Sequence, residues 1–393
     1  MFEHNPAGPD WPGAVMFLDV ALVPLFAFWA IGCEQYLLSA LFGLLFAALA
    51  DPGGGYGRRA LDIAVFALIG SGVTALAFGI GTDDWGGLAL AAFGVTLAGG
   101  LAAVSGTRRC VNAWLLGAWF VVAIGLESGL HASDLITSRT WAQVLAWTGG
   151  AALWLVAAFA RWLIRGRTER PRPLAELPGD TSWKKPDLPL IRFAVIRALA
   201  VAGTVALAYG PDLSHGGWIP IAAVIAMKPS PEQTAIVSAQ RLTGALIGAA
   251  VATLLLLAPP SEHGIRLFAV ERGLEAVALV LFAHGAAIRF RNPAYCTAAV
   301  TAGALVLVEL PQHSGGAAEG YRVLWTLCGV GIGLLAMWLA DRVAERAAGA
   351  HGNRPAAAGP PPDLHARVPE ETAHRLPGDR RPGDRPATAD HGR

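Results

Sequence analysis

Residues 215–257 read HGGWIPIAAVIAMKPSPEQTAIVSAQRLTGALIGAAVATLLLL, and this stretch decides the class of fold. The apolar run Trp218–Met227 is ten residues long. That is about 15 Å of helix, against a hydrocarbon core of about 30 Å. It stops at Lys228-Pro229. Ser230-Pro231-Glu232-Gln233 then has the form of a helix start, with Ser as N-cap, Pro at the first helical position and Gln at the third. The helix that follows has apolar residues enough to cross a membrane and runs toward Leu257. A short, Pro-ended apolar segment that feeds a capped helix is a pattern of membrane binding sites. Its free N–H groups and positive dipole end face the break.

The rest of the chain has the same character. Of 393 residues, 54% are apolar and 15% charged, where soluble domains have about 25% charged. Mean hydropathy is +0.47. Twenty-seven of the 59 charged residues fall in 164–190 and 341–393, which leaves 32 for the other 313 positions. Such composition predicts an all-α integral membrane protein. Apolar runs at 14–32, 34–50, 60–80, 87–104, 110–128 and 141–163 are followed by six more, at 191–209, 214–228, 235–258, 270–288, 293–310 and 321–340. The expected organisation is a leader (1–13), a six-helix repeat (14–163), a Pro-rich linker (164–190), a second six-helix repeat (191–342) and a disordered tail (343–393). The first run lacks a basic leader and counts as a span, not a cleavable signal.

Basic residues orient these twelve spans. With a cytoplasmic amino terminus, every inside loop carries Arg or Lys, whereas the outside loops together hold two, Arg139 and Arg266. Both termini and the linker are then cytoplasmic. Weak internal matches support a duplication. ALIG recurs at 67–70 and 245–248, and a Cys opens each fifth span (Cys110, Cys296). Two sets of six spans make the repeats parallel.

Net charge is +1, which removes the basic surface a nucleic-acid partner needs. No P-loop, HExxH, GxSxG or CxxC pattern occurs, and no loop has room for an enzyme domain. Neither an enzyme nor a cofactor is expected. The partners are the bilayer and a small solute, with a homo-oligomer left open.

Three quoted stretches carry a family resemblance: RFAVIRALAVAG (192–203), GGWIPIAAVIAMKPSPEQTAIVSAQRLTGALIGA (216–249) and YRVLWTLCGVGIGLLA (321–336). Together they resemble the fusaric acid resistance protein-like family, which includes the aromatic acid exporters. The resemblance covers about 190–342. It implies a bacterial inner-membrane protein that exports small organic anions, typically aromatic carboxylates, with the proton gradient. The first half departs from the pattern. Asp19 stands where the second half has Arg192 and Arg197, and the second span is of ordinary length. ALADPGGGYGRR (48–59) is weakly similar to a loop of major facilitator transporters, which also have six plus six spans. A passive anion channel and a non-transporting membrane subunit complete the alternatives.

Candidate site residues follow from the cost of charge in a bilayer. Arg197, Arg241 and Lys228, with Trp218 on the short segment, are the expected anion-binding group, since guanidinium offers a carboxylate two parallel donors. Glu275, His284 and Asp19 are the proton-coupling candidates. Glu275 also stands three residues from Arg272 and could pair with it at the outer interface.

Overall fold

The computed structural model describes residues 9–52, 55–81, 84–128, 138–164, 186–227, 235–256, 264–288, 293–309 and 316–352. About 91% of these described residues are helical, and none is in a strand. The order is α1 (Trp11–Ile31), a three-residue 3₁₀ turn (Glu34–Tyr36), α2 (Leu37–Ala50), α3 (Tyr56–Ile80), α4 (Trp85–Leu101), α5 (Thr107–Ser128) and α6 (Ser138–Ile164). Then come α7 (Leu188–Tyr209), α8 (Trp218–Ala226), α9 (Ala235–Leu256), α10 (Gly264–Ile288), α11 (Pro293–Glu309) and α12 (Gly316–Gly352). Each of the twelve apolar runs falls on one of these helices. Seven of them (α1, α3, α4, α5, α6, α7 and α12) are long and apolar enough to cross a membrane.

Local chemistry starts both halves in the same way. Asp10 caps α1, its carboxylate accepting from the Gly13 N–H at 3.0 Å, with Pro12 in the first turn. Asp187 caps α7 through the Leu190 N–H at 3.0 Å, with Pro189 in the equivalent place. A side-chain acceptor satisfies one orphan donor, and Pro lacks a donor that would be orphaned there.

Glycine sets the closest helix contacts, as expected where small residues let backbones approach. A Cβ on Gly43 would strike the Trp147 carbonyl of α6, and one on Gly150 would strike the Ala40 carbonyl of α2. In the second half, Gly329 and Gly333 of α12 meet the Ile219 and Ala223 carbonyls of α8 in the same manner. Gly244 and Gly248 of α9 lie against the Ala294 and Ala298 carbonyls of α11. An aromatic cluster fills the first half, with Trp119 stacked on Trp147 at 4.7 Å and Phe42 against Trp119 at 5.3 Å.

Two expectations need correction. The second helix of the first half is not of ordinary length. Glu34–Tyr36 turn as 3₁₀, and the α-helix proper has fourteen residues, about 21 Å, twelve of them buried. The tail does not lose structure at 343 either, because α12 continues to Gly352. The linker from 165 to 185 and the tail from 353 lie outside the described residues.

Candidate functional site

The site is built around α8. Its nine residues rise about 13.5 Å, and seven of them are buried. Its starting level is fixed by the turn from α7. The Leu213 N–H donates to the Ala208 carbonyl at 3.2 Å, and the Trp325 indole donates to the Ser214 carbonyl at 2.9 Å. Asp212 (φ 50°) and His215 (φ 60°) both adopt left-handed backbone here, a costly conformation for residues other than glycine. The helix therefore begins beside the end of α7, and it is less than half as long as a hydrocarbon core of about 30 Å is thick. Met227 follows in extended conformation, 2% exposed.

Arg197 lies eleven residues before Ala208 on α7, about 16 Å along the helix. That is within a turn of the level at which α8 ends. Its side chain is 2% exposed and has the Cys110 thiol of α5 within electrostatic reach. A buried guanidinium within a helix long and apolar enough to cross a membrane is the strongest feature of the expected anion group. Trp218 is buried as well, but it opens α8 and so stands a helix length from the break. Lys228 lies outside the described residues. Arg241 is on the second turn of α9, and its side chain is outside them too.

The proton-coupling candidates are not gathered in one place. Glu275 is buried and held by Arg272, with both oxygens at 3.0 Å from Nη1. Arg272 also pairs with Glu34 of the 3₁₀ turn and lies 4.6 Å over the Trp29 ring. The interface pair therefore forms, and it ties the two halves together. His284 is exposed and packs on Trp11 at 5.6 Å. Close by, the Asp10 N–H donates to the Ala287 carbonyl at 2.9 Å. Asp19 is exposed on α1, and no hydrogen bond or ion pair joins it to another described residue.

The sequence reading missed one constellation. Asp51, at the end of α2, receives Arg59 Nε at 2.7 Å and Nη2 at 2.5 Å, and the Trp154 indole N–H at 3.1 Å. Arg59 is 2% exposed and the Asp51 side chain 0%. An acid before Pro-Gly-Gly-Gly, with an Arg eight residues later, was the available signal. Asp51-Pro52 also matches Lys228-Pro229 in sequence, each pair following the short second helix of its half.

No curated protein and no solved structure matches the chain. The model of the fusaric acid resistance protein-like family does, over residues 199–336, which take in α8 to α11 entire and most of α7's second half and α12's apolar part. This is a family of membrane transport and efflux, and a multi-pass helical membrane protein fits it. The similarity to the fusaric acid resistance protein-like family is thus carried by this second-half segment.

Proposed function

We propose that the chain is a secondary transporter of the bacterial cytoplasmic membrane. It exports small organic anions, aromatic carboxylates foremost, at the expense of the proton gradient. The observation that carries the reading is the short buried α8 ending beside the level of buried Arg197. Together they offer a carboxylate a break in the helical wall and a bidentate donor inside the membrane. Arg241 and Lys228 join Arg197 on sequence grounds, and Trp218 supplies an aromatic face at the outer end of α8. Among the coupling candidates, Asp19 is favoured, since Glu275 is already committed to Arg272.

All twelve helices cross the bilayer in this reading, as two parallel repeats with both termini inside. Reciprocal packing supports it. α1 packs on α10 while α7 packs on α4, and α2 meets α6 through glycine as α8 meets α12. Exchange of partners between corresponding helices is what an axis along the membrane normal produces. Reporter fusions at Gly166 and Arg354 should both score cytoplasmic, and fusions at Asp84 and His313 outside. Opposite scores for Gly166 and Arg354 would break the even count of spans.

Cells that lack the protein should be more sensitive to weak aromatic carboxylic acids in a growth screen. Expression should lower accumulation of those acids only while the proton gradient stands. Export that persists unchanged with an uncoupler would remove proton coupling.

A further inference from the structure

Asp19 and Arg192 are exposed charges on two helices long and apolar enough to cross a membrane. Asp19 lies nine residues past the Asp10 cap of α1, about 13.5 Å along a helix of 21 residues, and so near its middle. Arg192 lies five residues past the Asp187 cap of α7, about 7.5 Å along it. Neither side chain makes a hydrogen bond or an ion pair with another described residue. An arginine near a helix end reaches water by snorkelling. Aspartate is too short for that, and a carboxylate in the middle of a span is costly enough that such groups almost always turn inward or find a partner.

The faces that carry these charges complement each other. Asp19, Phe26 and Ala30 form an exposed stripe on α1, at i, i+7 and i+11, and Arg192, Leu199 and Gly203 form one on α7 at the same spacing. Within one chain both stripes stay exposed, while α1 packs on α10, α2 and α6, and α7 packs on α4 and α8. The two caps give the helices a common starting level. Counted from them, Phe26 and Gly203 both stand sixteen residues on. Phe26 is 58% exposed, and nothing lies within 4 Å of a Cβ built on Gly203. A large side chain on one face is thus level with a hollow on the other, and small residues are what let helices approach in membranes. In this register Arg192 stands one turn, about 6 Å, from the level of Asp19, within reach of an arginine side chain.

We propose that α1 of one copy packs against α7 of a second copy, with Asp19 paired to Arg192 and Phe26 seated at Gly203. Each chain carries both faces, so the contact is head-to-tail and forms a ring where its rotation closes. It rests on one part of the reading above, that α1 and α7 begin on the same side of the bilayer. The Glu275–Arg272 pair is closed within one chain. A pair between copies opens when they separate, which leaves Asp19 available to the coupling role proposed above.

The test uses full-length chains with two different tags, co-expressed in cell membranes. One copy carries Phe26→Cys and the other Gly203→Cys, both at exposed positions. Mild oxidation should give a dimer that bears both tags, well above the background from chains with only the four native cysteines. Arg192→Asp on the Gly203→Cys copy should lower that yield about tenfold, since like charges then face each other across the contact. Asp19→Arg added to the Phe26→Cys copy should restore it. Restoration between separate chains is something a structural effect inside one chain does not produce. Reporters at the amino terminus and at Gly166 read the shared side of α1 and α7 independently, so a wrong topology is told apart from a wrong contact. Opposite scores there overturn the proposal together with the topology. With equal scores, the proposal alone is overturned if the two-tag dimer stays at background, as a face covered by lipid would leave it, or if the reversed charges fail to restore it.

Discussion

Replacement of Arg197 by lysine is expected to reduce efflux of aromatic carboxylates about tenfold or more, with the folded protein retained. The side chain is 2% exposed on α7, within a turn of the level at which α8 ends. Charge alone is not what the position supplies, since Lys keeps the charge. Guanidinium adds a rigid fork that grips both carboxylate oxygens, and losing one such bond costs about 1.4 kcal/mol or more, a factor of ten. Uptake into everted membrane vesicles measures the effect, and thermal midpoints confirm folding. A cation that only reaches for lipid phosphate would tolerate the exchange, so undiminished uptake would remove Arg197 from the site.

Gly150→Val should be strongly destabilising. The Cβ at Gly150 would fall on the Ala40 carbonyl oxygen, with the Leu44 backbone nitrogen close behind, and neither is a side chain that can move aside. Overpacking ordinarily costs about 1–3 kcal/mol, and here α2 and α6 must separate, so the upper end is expected. Gly149 is the control, because nothing lies within 4 Å of a Cβ built there. Gly149→Ala should be neutral or stabilise by about 0.5–1 kcal/mol through the removal of a helical glycine. Size-exclusion profiles and thermal midpoints of the two variants distinguish them. Equal behaviour would show that the α2–α6 contact does not depend on its glycine.

The helices were legible because a bilayer leaves a chain few options. Backbone groups in hydrocarbon must be satisfied within the helix, so length and apolarity locate each element without any appeal to periodicity. What the composition could not give is how the helices meet. Residues 34–50 read as one apolar run, yet Glu34, Gln35 and Tyr36 turn as 3₁₀ and leave α2 short. Arg272 and Glu34 are 238 positions apart, and only the packing of α1 on α10 brings them together.

Arg59 is the instructive case. It stands in a basic loop sequence, GYGRR (55–59), of the kind that orients a membrane protein, yet it is buried against Asp51 and close to Trp154. The rule that orients membrane proteins counts Lys and Arg near helix ends without asking whether water reaches them. Arg197, by contrast, was legible. An Arg nine residues into an apolar helix has no cheap place to go, and its burial follows from that.

Flux of an aromatic carboxylate in proteoliposomes tests the central claim most directly. Purified protein is reconstituted, a pH gradient is imposed, and phthalate is followed, with protein-free vesicles for the background. The account predicts concentrative, saturable transport that collapses when a protonophore is added. Phthalate flux no greater than in protein-free vesicles, or equal with and without the gradient, would contradict it.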